Sequence, residues 1–300
     1  MNSIDDITLN FSSENLVILN LSLAYIMFGV AMQLTLSDFK LILSQPIGTI
    51  TGLLSQFIVL PMLTFVVIWI IEPHPTFALG MMMVAACPGG NISNFFSALS
   101  RGNIALSVSL TAVSSVLAIF MTPFNLSLWA GLYEPTAHLL REVSLDVGEV
   151  FQTIVVILGL PLVLGMFVSH KFPKTAAKIH PYMHYSSIFI FAAIVILAFS
   201  ANIDIFLNYI YMVVLLVFVH NALALFSGYQ MGRIFGLPPA DRRTIAIETG
   251  IQNSGLGLLL IFAFFDGLGG MAIVAAWWGI WHIVAGLTIS YYWKYKFAIA

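Results

Sequence analysis

Charged residues are scarce in this chain. Asp, Glu, Lys and Arg together make up 8% of its 300 residues, whereas a soluble domain carries about 25%. Hydrophobic residues make up 60% of the sequence, and the mean hydropathy is +1.00. This composition excludes a soluble globular protein and gives no indication of a nucleic acid partner. It predicts a helical membrane protein with several spans.

Cysteine is nearly absent as well. Cys87 is the only one, so disulfide bonds contribute nothing to the fold and indicate no redox compartment. The sequence also lacks the density of Cys and His that a transition-metal site requires. Residues 1–14 are polar and acidic, without the basic segment of a secretory signal peptide. We expect them to form an external N-terminal tail.

Long apolar runs dominate what is present. A transmembrane helix needs about 20 mostly apolar residues, and nine segments meet that requirement. They cover residues 15–33, 47–71, 76–100, 104–129, 150–168, 182–201, 206–229, 244–265 and 271–293. We therefore predict an all-α polytopic membrane protein with nine transmembrane helices.

The basic residues orient these spans. With a cytoplasmic C-terminus, ten of the 11 Lys and Arg residues fall on the cytoplasmic side, and only Arg141 lies outside. This asymmetry follows the positive-inside rule. We expect a multi-pass protein of the cell (inner or plasma) membrane, with its N-terminus outside.

Two predicted spans are interrupted by polar stretches that contain glycine. The third contains CPGGNISN and the eighth contains IETGIQNSG. Pro88 removes a backbone donor, and Gly89 and Gly90 allow non-helical dihedral angles. A packing kink is the alternative explanation for the Pro-Gly-Gly sequence alone. Two interrupted spans in corresponding positions, however, are typical of the binding site of a secondary transporter.

The order of the spans predicts two repeats. Residues 15–133 hold spans one to four and residues 150–300 hold spans five to nine, joined by an external segment at 134–149. In each repeat the broken span is followed by one closing span. A repeat of five spans inverts its partner, because an odd number of crossings reverses the chain direction. The first repeat is therefore expected to lack its opening helix.

Glu248 is the one acidic side chain inside a predicted span. A carboxylate at membrane depth is costly and usually has a function. Together with neutral oxygens it can bind Na⁺, a hard cation that prefers oxygen ligands. Such oxygens are available from Ser93, Asn94, Ser107, Thr111, Gln56 and Gln252, and from the freed carbonyl groups of Thr249 and Ile251. On an intact helix Gln252 would share the face of Glu248.

Other polar residues within the spans have a structural explanation. Ser107 and Thr111 recur with Ser114 and Ser115 on one helix face, which a small-residue packing face also explains. His220 and Asn221 lie in the middle of the seventh predicted span. We expect them to make hydrogen bonds between helices, with a role in lining a cavity as the alternative.

The motifs CPGGNISN, RGNIALSVSLTAVSS and IAIETGIQNSG resemble the bile acid:sodium symporter family, over nearly the whole chain. The resemblance implies two inverted repeats arranged as a core domain and a panel domain, with two broken helices that cross. The core would comprise spans two to four and seven to nine, and the panel spans one, five and six. Bacterial members commonly have ten spans, whereas nine match the animal bile acid carriers.

The resemblance also implies two sodium sites and a substrate cavity. The first sodium site would consist of Ser93, Asn94, Ser107, Thr111 and Glu248. The second would consist of Gln56, Glu248, Gln252 and the carbonyl groups of Thr249 and Ile251. The residues beside the substrate would be Asn91, Asn253 and His282.

We therefore predict a sodium-coupled symporter that imports bile acids or other organic anions by alternating access. In this interpretation it is not an enzyme, sodium ions are its only cofactor, and no obligate protein partner is needed. A proton-coupled transporter that uses Glu248 is the alternative. An intramembrane enzyme is disfavoured because no nucleophile–base pair or metal motif is present. A sodium channel is disfavoured because paired broken helices suit alternating access better than a pore.

Overall fold

The structure is a computed structural model, and it describes residues 13–32, 46–142, 147–201 and 203–296. Across these residues the regular secondary structure is helical, apart from one isolated β-bridge. Five helices are long and apolar enough to cross a membrane: Pro46–Ile71, Ile104–Leu132, Gly148–Lys171, Tyr209–Ile234 and Gly269–Lys296. Shorter apolar helices cover Val17–Ala31, Pro75–Ala86 and Ser254–Phe264. The prediction of an all-α chain with several apolar helices of membrane-spanning length is confirmed for the described residues.

The described residues form twelve helical elements. In order they are α1 (Ser13–Ala31), α2 (Pro46–Ile71), α3 (Pro75–Ala86), α4 (Ile92–Leu99), α5 (Ile104–Leu132), α6 (Glu134–Glu142), α7 (147–171), α8 (Pro173–Ala201), α9 (Ile203–Ile234), α10 (Pro239–Gly250), α11 (Ser254–Phe264) and α12 (Gly269–Lys296). Each predicted span coincides with one helix, or with a pair where the span is interrupted. The count of nine crossings stays a prediction, as does the pairing of the spans into inverted repeats.

The two interrupted elements lie at the centre of the molecule. α3 is buried along almost its entire length, and so is α11. A helix that is apolar all round can lie in lipid or inside a protein, and the burial of these two helices shows that protein surrounds them. α3 packs chiefly on α12, and α10 packs chiefly on α9. The breaks are therefore enclosed by protein, as irregular backbone at membrane depth requires.

Two prolines shape α2 and α7. A π-helical segment precedes each proline, Ser55–Val59 before Pro61 and Val155–Gly159 before Pro161. Because proline has no N–H, the carbonyl four residues earlier loses its usual partner. For Pro61 that carbonyl belongs to Phe57, and the Asn125 side chain of α5 donates to it across 3.0 Å. The wide turn beside Gln56 is thus held by a side chain from another helix.

A second group of helices packs together beside this centre. α1 makes its most extensive contacts with α7 and α8, and α7 also contacts α8. The connection between α5 and α7 contains α6, so part of the segment expected at 134–149 is helical.

Candidate ion and substrate site

The two helix breaks meet backbone to backbone. Gly89 and Gln252 form an isolated antiparallel bridge. Two hydrogen bonds flank the bridge, from the Gly90 N–H to the Ile251 carbonyl (2.7 Å) and from the Asn253 N–H to the Pro88 carbonyl (2.8 Å). The backbone groups that lose their helical hydrogen bonds at one break thus find partners in the backbone of the other break. The predicted interruptions are both present, and they contact each other.

The two glycines of the first break make this close approach possible. A Cβ at residue 89 would lie 2.9 Å from Nε2 of Gln56 and 2.9 Å from Oε2 of Glu248. A Cβ at residue 90 would lie 3.0 Å from the carbonyl oxygen of Gln252. Any side chain at either position would push apart the groups that converge here.

Glu248 lies on the last turn of α10, and only 1% of its surface is exposed. The hydroxyl groups of Ser93 and Ser107 donate to its Oε1 across 2.6 Å and 2.5 Å. The hydroxyl of Thr111 lies 3.2 Å from each carboxylate oxygen. Among the described residues, no Lys, Arg or His forms an ion pair with this carboxylate. Its negative charge is therefore surrounded by neutral hydroxyl groups.

Asn94 completes the first predicted set. Its Oδ1 accepts a hydrogen bond of 3.4 Å from the Thr111 hydroxyl. Ser97, which was not identified from the sequence, lies in the same cluster, where its Oγ is 3.1 Å from the Ser107 hydroxyl oxygen. The signal was available, because Ser97 follows Ser93 by one helical turn.

The second predicted set lies around the end of α10. α10 ends at Gly250, so Gln252 does not share a helical face with Glu248 but lies in the crossing segment. The Gln252 side chain turns back, and its Nε2 donates to the carbonyl of Thr249 across 2.8 Å. Gln252 Oε1 and Gln56 Nε2 are both buried without a hydrogen-bond partner. Two unsatisfied polar atoms thus flank the crossing.

Two carbonyl groups at the broken helix ends are satisfied by side chains of other helices. The Thr122 hydroxyl donates to the carbonyl of Ala86 across 2.8 Å. The Asn221 amide donates to the carbonyl of Gly250 across 2.7 Å. Such terminal carbonyls have no partner within their own helix. Thr122 therefore supports the crossing without having been identified from the sequence.

Two further hydrogen bonds join α2 to its neighbours. His220 Nε2 and the Thr64 hydroxyl are 2.7 Å apart. The hydroxyl groups of Ser55 and Thr249 are 2.8 Å apart. The bond of His220 to Thr64 and the bond of Asn221 to Gly250 confirm the prediction that His220 and Asn221 form hydrogen bonds between helices.

The residues predicted beside the substrate differ in their surroundings. Asn91 is partly exposed, and its side chain does not cap α4. Asn253 is also partly exposed, and its side chain accepts from the Leu256 N–H at the start of α11, across 3.1 Å. His282 is buried on α12. Their role in substrate binding stays a prediction.

Sequence comparisons give one matching family and several similar proteins. Residues 20–209 match the family described as the Sodium Bile acid symporter family. An "uncharacterized sodium-dependent transporter YocS" of Bacillus subtilis (strain 168) is 31% identical over 274 residues, which are 91% of this chain and 82% of the relative. The "probable sodium/metabolite cotransporter BASS1, chloroplastic" of Arabidopsis thaliana is 33% identical over 289 residues, 96% and 69% of the two chains. The human "ileal sodium/bile acid cotransporter" is 29% identical over 243 residues, 80% and 67%.

Proposed function

This chain belongs to the sodium bile acid symporter family, and we propose that it imports organic anions by sodium-driven alternating access. Membership of the family makes it a multi-pass membrane transporter coupled to sodium. The proposal adds the substrate class, the ion sites and the direction of transport. Bile acids and smaller organic carboxylates are the two substrate groups that it includes.

The environment of Glu248 is the main support for this proposal. A buried carboxylate is expensive unless a positive charge compensates it. Hydroxyl groups of Ser93 and Ser107 surround it, and the described residues contribute no cationic side chain to it. A sodium ion bound between these oxygens would supply the missing charge. Asn94 and Thr111 would complete an all-oxygen first site of the kind that hard cations prefer.

The second proposed sodium ion would lie on the other side of the same carboxylate. Gln252 Oε1 is a buried acceptor without a hydrogen-bond partner, as a cation ligand would be before its ion arrives. Gln56 would present its amide oxygen after a half-turn of the amide group, which leaves its shape unchanged. The carbonyl groups of Thr249 and Ile251 each accept one hydrogen bond and retain a second lone pair. Both proposed ions would share Glu248.

Sodium would promote substrate binding through the crossing. The ion ligands come from both broken elements, so bound sodium would hold the two breaks together. The substrate would bind beside the same breaks, where α4 and α11 begin close to Asn91 and Asn253. Helix N-termini favour an anionic group. His282 is proposed to lie near the substrate as well. Coupling of this kind is reciprocal, since each ligand raises the affinity for the other.

Alternating access requires two bodies that move relative to each other. We propose a panel of α1, α7 and α8, which pack on one another, and a core that contains the crossing. In the predicted order of nine spans, these helices are spans one, five and six. The N-terminus would lie outside and the C-terminus in the cytoplasm, with the cell (inner or plasma) membrane as the location.

The experiment that tests the proposal compares Glu248→Gln with the unchanged protein. Thermal melting of the purified protein is followed at increasing sodium, with choline holding the ionic strength constant. We expect sodium to raise the melting temperature of the wild type and to have no effect on Glu248→Gln, which keeps the shape of the side chain but removes its charge. A normal sodium response in Glu248→Gln would contradict the assignment.

Asp266→Asn is the matched control. Asp266 is an exposed acidic residue with φ of 47°, a conformation that Asn tolerates. The control should keep the full response to sodium. Organic anions are then screened by the same melting assay with and without sodium, and the hits are tested for uptake into proteoliposomes. Uptake driven by a pH gradient in choline alone would favour the proton-coupled alternative.

A further inference from the structure

A second polar contact lies one helical turn from the Glu248 cluster. Thr244 precedes Glu248 by four residues on α10, and Asn103 precedes Ser107 by four residues at the start of α5. Residues four apart lie above one another on the same face of a helix. The two helices therefore touch at two successive levels, first through Asn103 and Thr244 and then through Ser107 and Glu248.

Hydrogen bonds hold the contact between Asn103 and Thr244 together. The Asn103 backbone N–H donates to the Thr244 hydroxyl across 2.8 Å, and that hydroxyl lies 3.2 Å from the Asn103 carbonyl oxygen. The Asn103 side-chain amide donates to Oδ1 of Asp241 across 2.9 Å. Its own Oδ1 accepts from the Leu106 N–H and caps α5. One asparagine thus starts α5 and fastens it to α10.

The loop between α4 and α5 also packs against α10 close to Thr244. Arg101 adopts φ of 57°, which turns the chain sharply. At residue 102 a Cβ would lie 2.6 Å from the Thr244 hydroxyl and 3.0 Å from the Ser97 carbonyl oxygen. The guanidinium group of Arg243 donates to the Arg101 carbonyl across 2.5 Å. Helices α4, α5 and α10 are therefore joined at a single contact. We call this contact, which centres on Asn103, Asp241 and Thr244, the joint.

These three helices carry every residue of the first proposed sodium site. A helix advances about 1.5 Å per residue, so the joint lies about 6 Å along α10 from Glu248. Rotation or sliding of α10 at the joint would displace the carboxylate from the hydroxyl groups of Ser93 and Ser107. The geometry points to Asn103, Asp241 and Thr244 as positioning residues that set the oxygen spacing, and hence the ion selectivity, of that site.

This inference rests on the proposed function, because it requires a sodium ion at Glu248. A site discriminates between cations of the same charge by its size, its number of ligands and its rigidity. A loosened joint should therefore weaken sodium binding and reduce the preference for sodium over lithium. Loss of packing alone would lower the melting temperature and leave that preference unchanged.

The first test exchanges the two partners of the joint. Asn103→Asp keeps the oxygen that caps α5 but sets two carboxylates against each other. Asp241→Asn, added to it, restores a donor and an acceptor in reversed order. The midpoints of thermal stabilisation by sodium and by lithium are measured for each protein. We expect Asn103→Asp to raise the sodium midpoint about tenfold and the double exchange to recover most of this loss.

The second test uses Thr244. Thr244→Val removes the hydroxyl and keeps the shape, so its sodium midpoint should rise and its sodium-to-lithium preference should fall. Thr244→Ser keeps the hydroxyl and should behave like the wild type. Thr136→Val is the control, since Thr136 is a buried threonine that bonds the Ala130 carbonyl near the opposite end of α5. Its stability should fall while both ion midpoints stay unchanged.

The outcomes separate the two proposals. A wild-type protein that shows no sodium stabilisation would overturn the proposed function and this inference with it. A wild type that responds, together with Asn103→Asp and Thr244→Val variants that keep its midpoints and its preference, would overturn the positioning role alone. Should Asn103→Asp fail to fold, the comparison of Thr244→Val with Thr244→Ser decides the question.

Discussion

Gly89 lies directly against the carboxylate of Glu248. A Cβ at residue 89 would lie 2.9 Å from Oε2, and equally close to the amide nitrogen of Gln56. The first helix break therefore contributes bare backbone at the point where side chains of α2 and α10 converge. The conformational freedom of Gly89 is only part of its role. Because Gly89 has no side chain, it also leaves the space into which Glu248 and Gln56 converge.

Gly89→Ala should abolish the stabilisation by sodium. The added methyl group would separate Glu248 from Gln56 and displace ligands of both proposed ion sites. Thermal melting at increasing sodium measures the effect. Gly131→Ala is the control, because a Cβ at residue 131 meets nothing within 4 Å, and alanine is the better helix former. A normal sodium response in Gly89→Ala would show that the site tolerates the methyl group and that the proposed arrangement is wrong.

Sodium binding and substrate binding should be separable within the first break. The Ser93 hydroxyl donates to Glu248 across 2.6 Å, whereas the Asn91 side chain is partly exposed and does not cap α4. Asn91→Ala should weaken substrate binding and leave the sodium-induced shift intact. Ser93→Ala with Asn94→Ala should lose the sodium shift and weaken substrate binding only indirectly.

The indirect loss has an upper limit. It should not exceed the coupling free energy between sodium and substrate, about 1–3 kcal/mol. Melting curves across sodium and substrate titrations at saturating sodium measure the two effects. If both variants lost both responses in parallel, the break would be a structural kink and the division of roles would be mistaken.

Asn125→Leu should destabilise the protein. The side chain of Asn125 satisfies the carbonyl of Phe57, which Pro61 leaves without its backbone partner. A buried carbonyl left unsatisfied costs about 1–3 kcal/mol, so the melting temperature in the absence of ligands should fall. Phe124→Leu, at the neighbouring exposed position of α5, should change it little. Equal melting temperatures for the two variants would contradict this explanation of the wide turn.

The predicted orientation can be tested by thiol labelling. Cys87 is buried, so the wild type should react little with a membrane-impermeant maleimide in intact cells. Glu134→Cys places a thiol at an exposed position predicted to lie outside, and Lys171→Cys does so at one predicted to lie inside. We expect Glu134→Cys to be labelled in intact cells and Lys171→Cys only after permeabilisation. Labelling of both from one side would refute the predicted order of spans.

Composition and local pattern alone determined the class of this protein and the position of its breaks. Low charge and long apolar runs indicate membrane helices, and Pro88 with two glycines stops a helix wherever the chain lies. A single carboxylate inside an apolar run identified Glu248. These features depend on residues that are close together in the chain or on how apolar a segment is. The sequence shows both directly.

Only the tertiary structure decided which groups surround that carboxylate. Ser93 and Glu248 are separated by 155 positions in the chain, and nothing local specifies how far one helix is rotated or shifted against another. Gln252 would share a helical face with Glu248 only on an intact helix, and α10 ends at Gly250, where the backbone bonds to the other break instead. Thr122 and Asn103 acquire their roles in the same way, through contacts that exist only once the helices have packed.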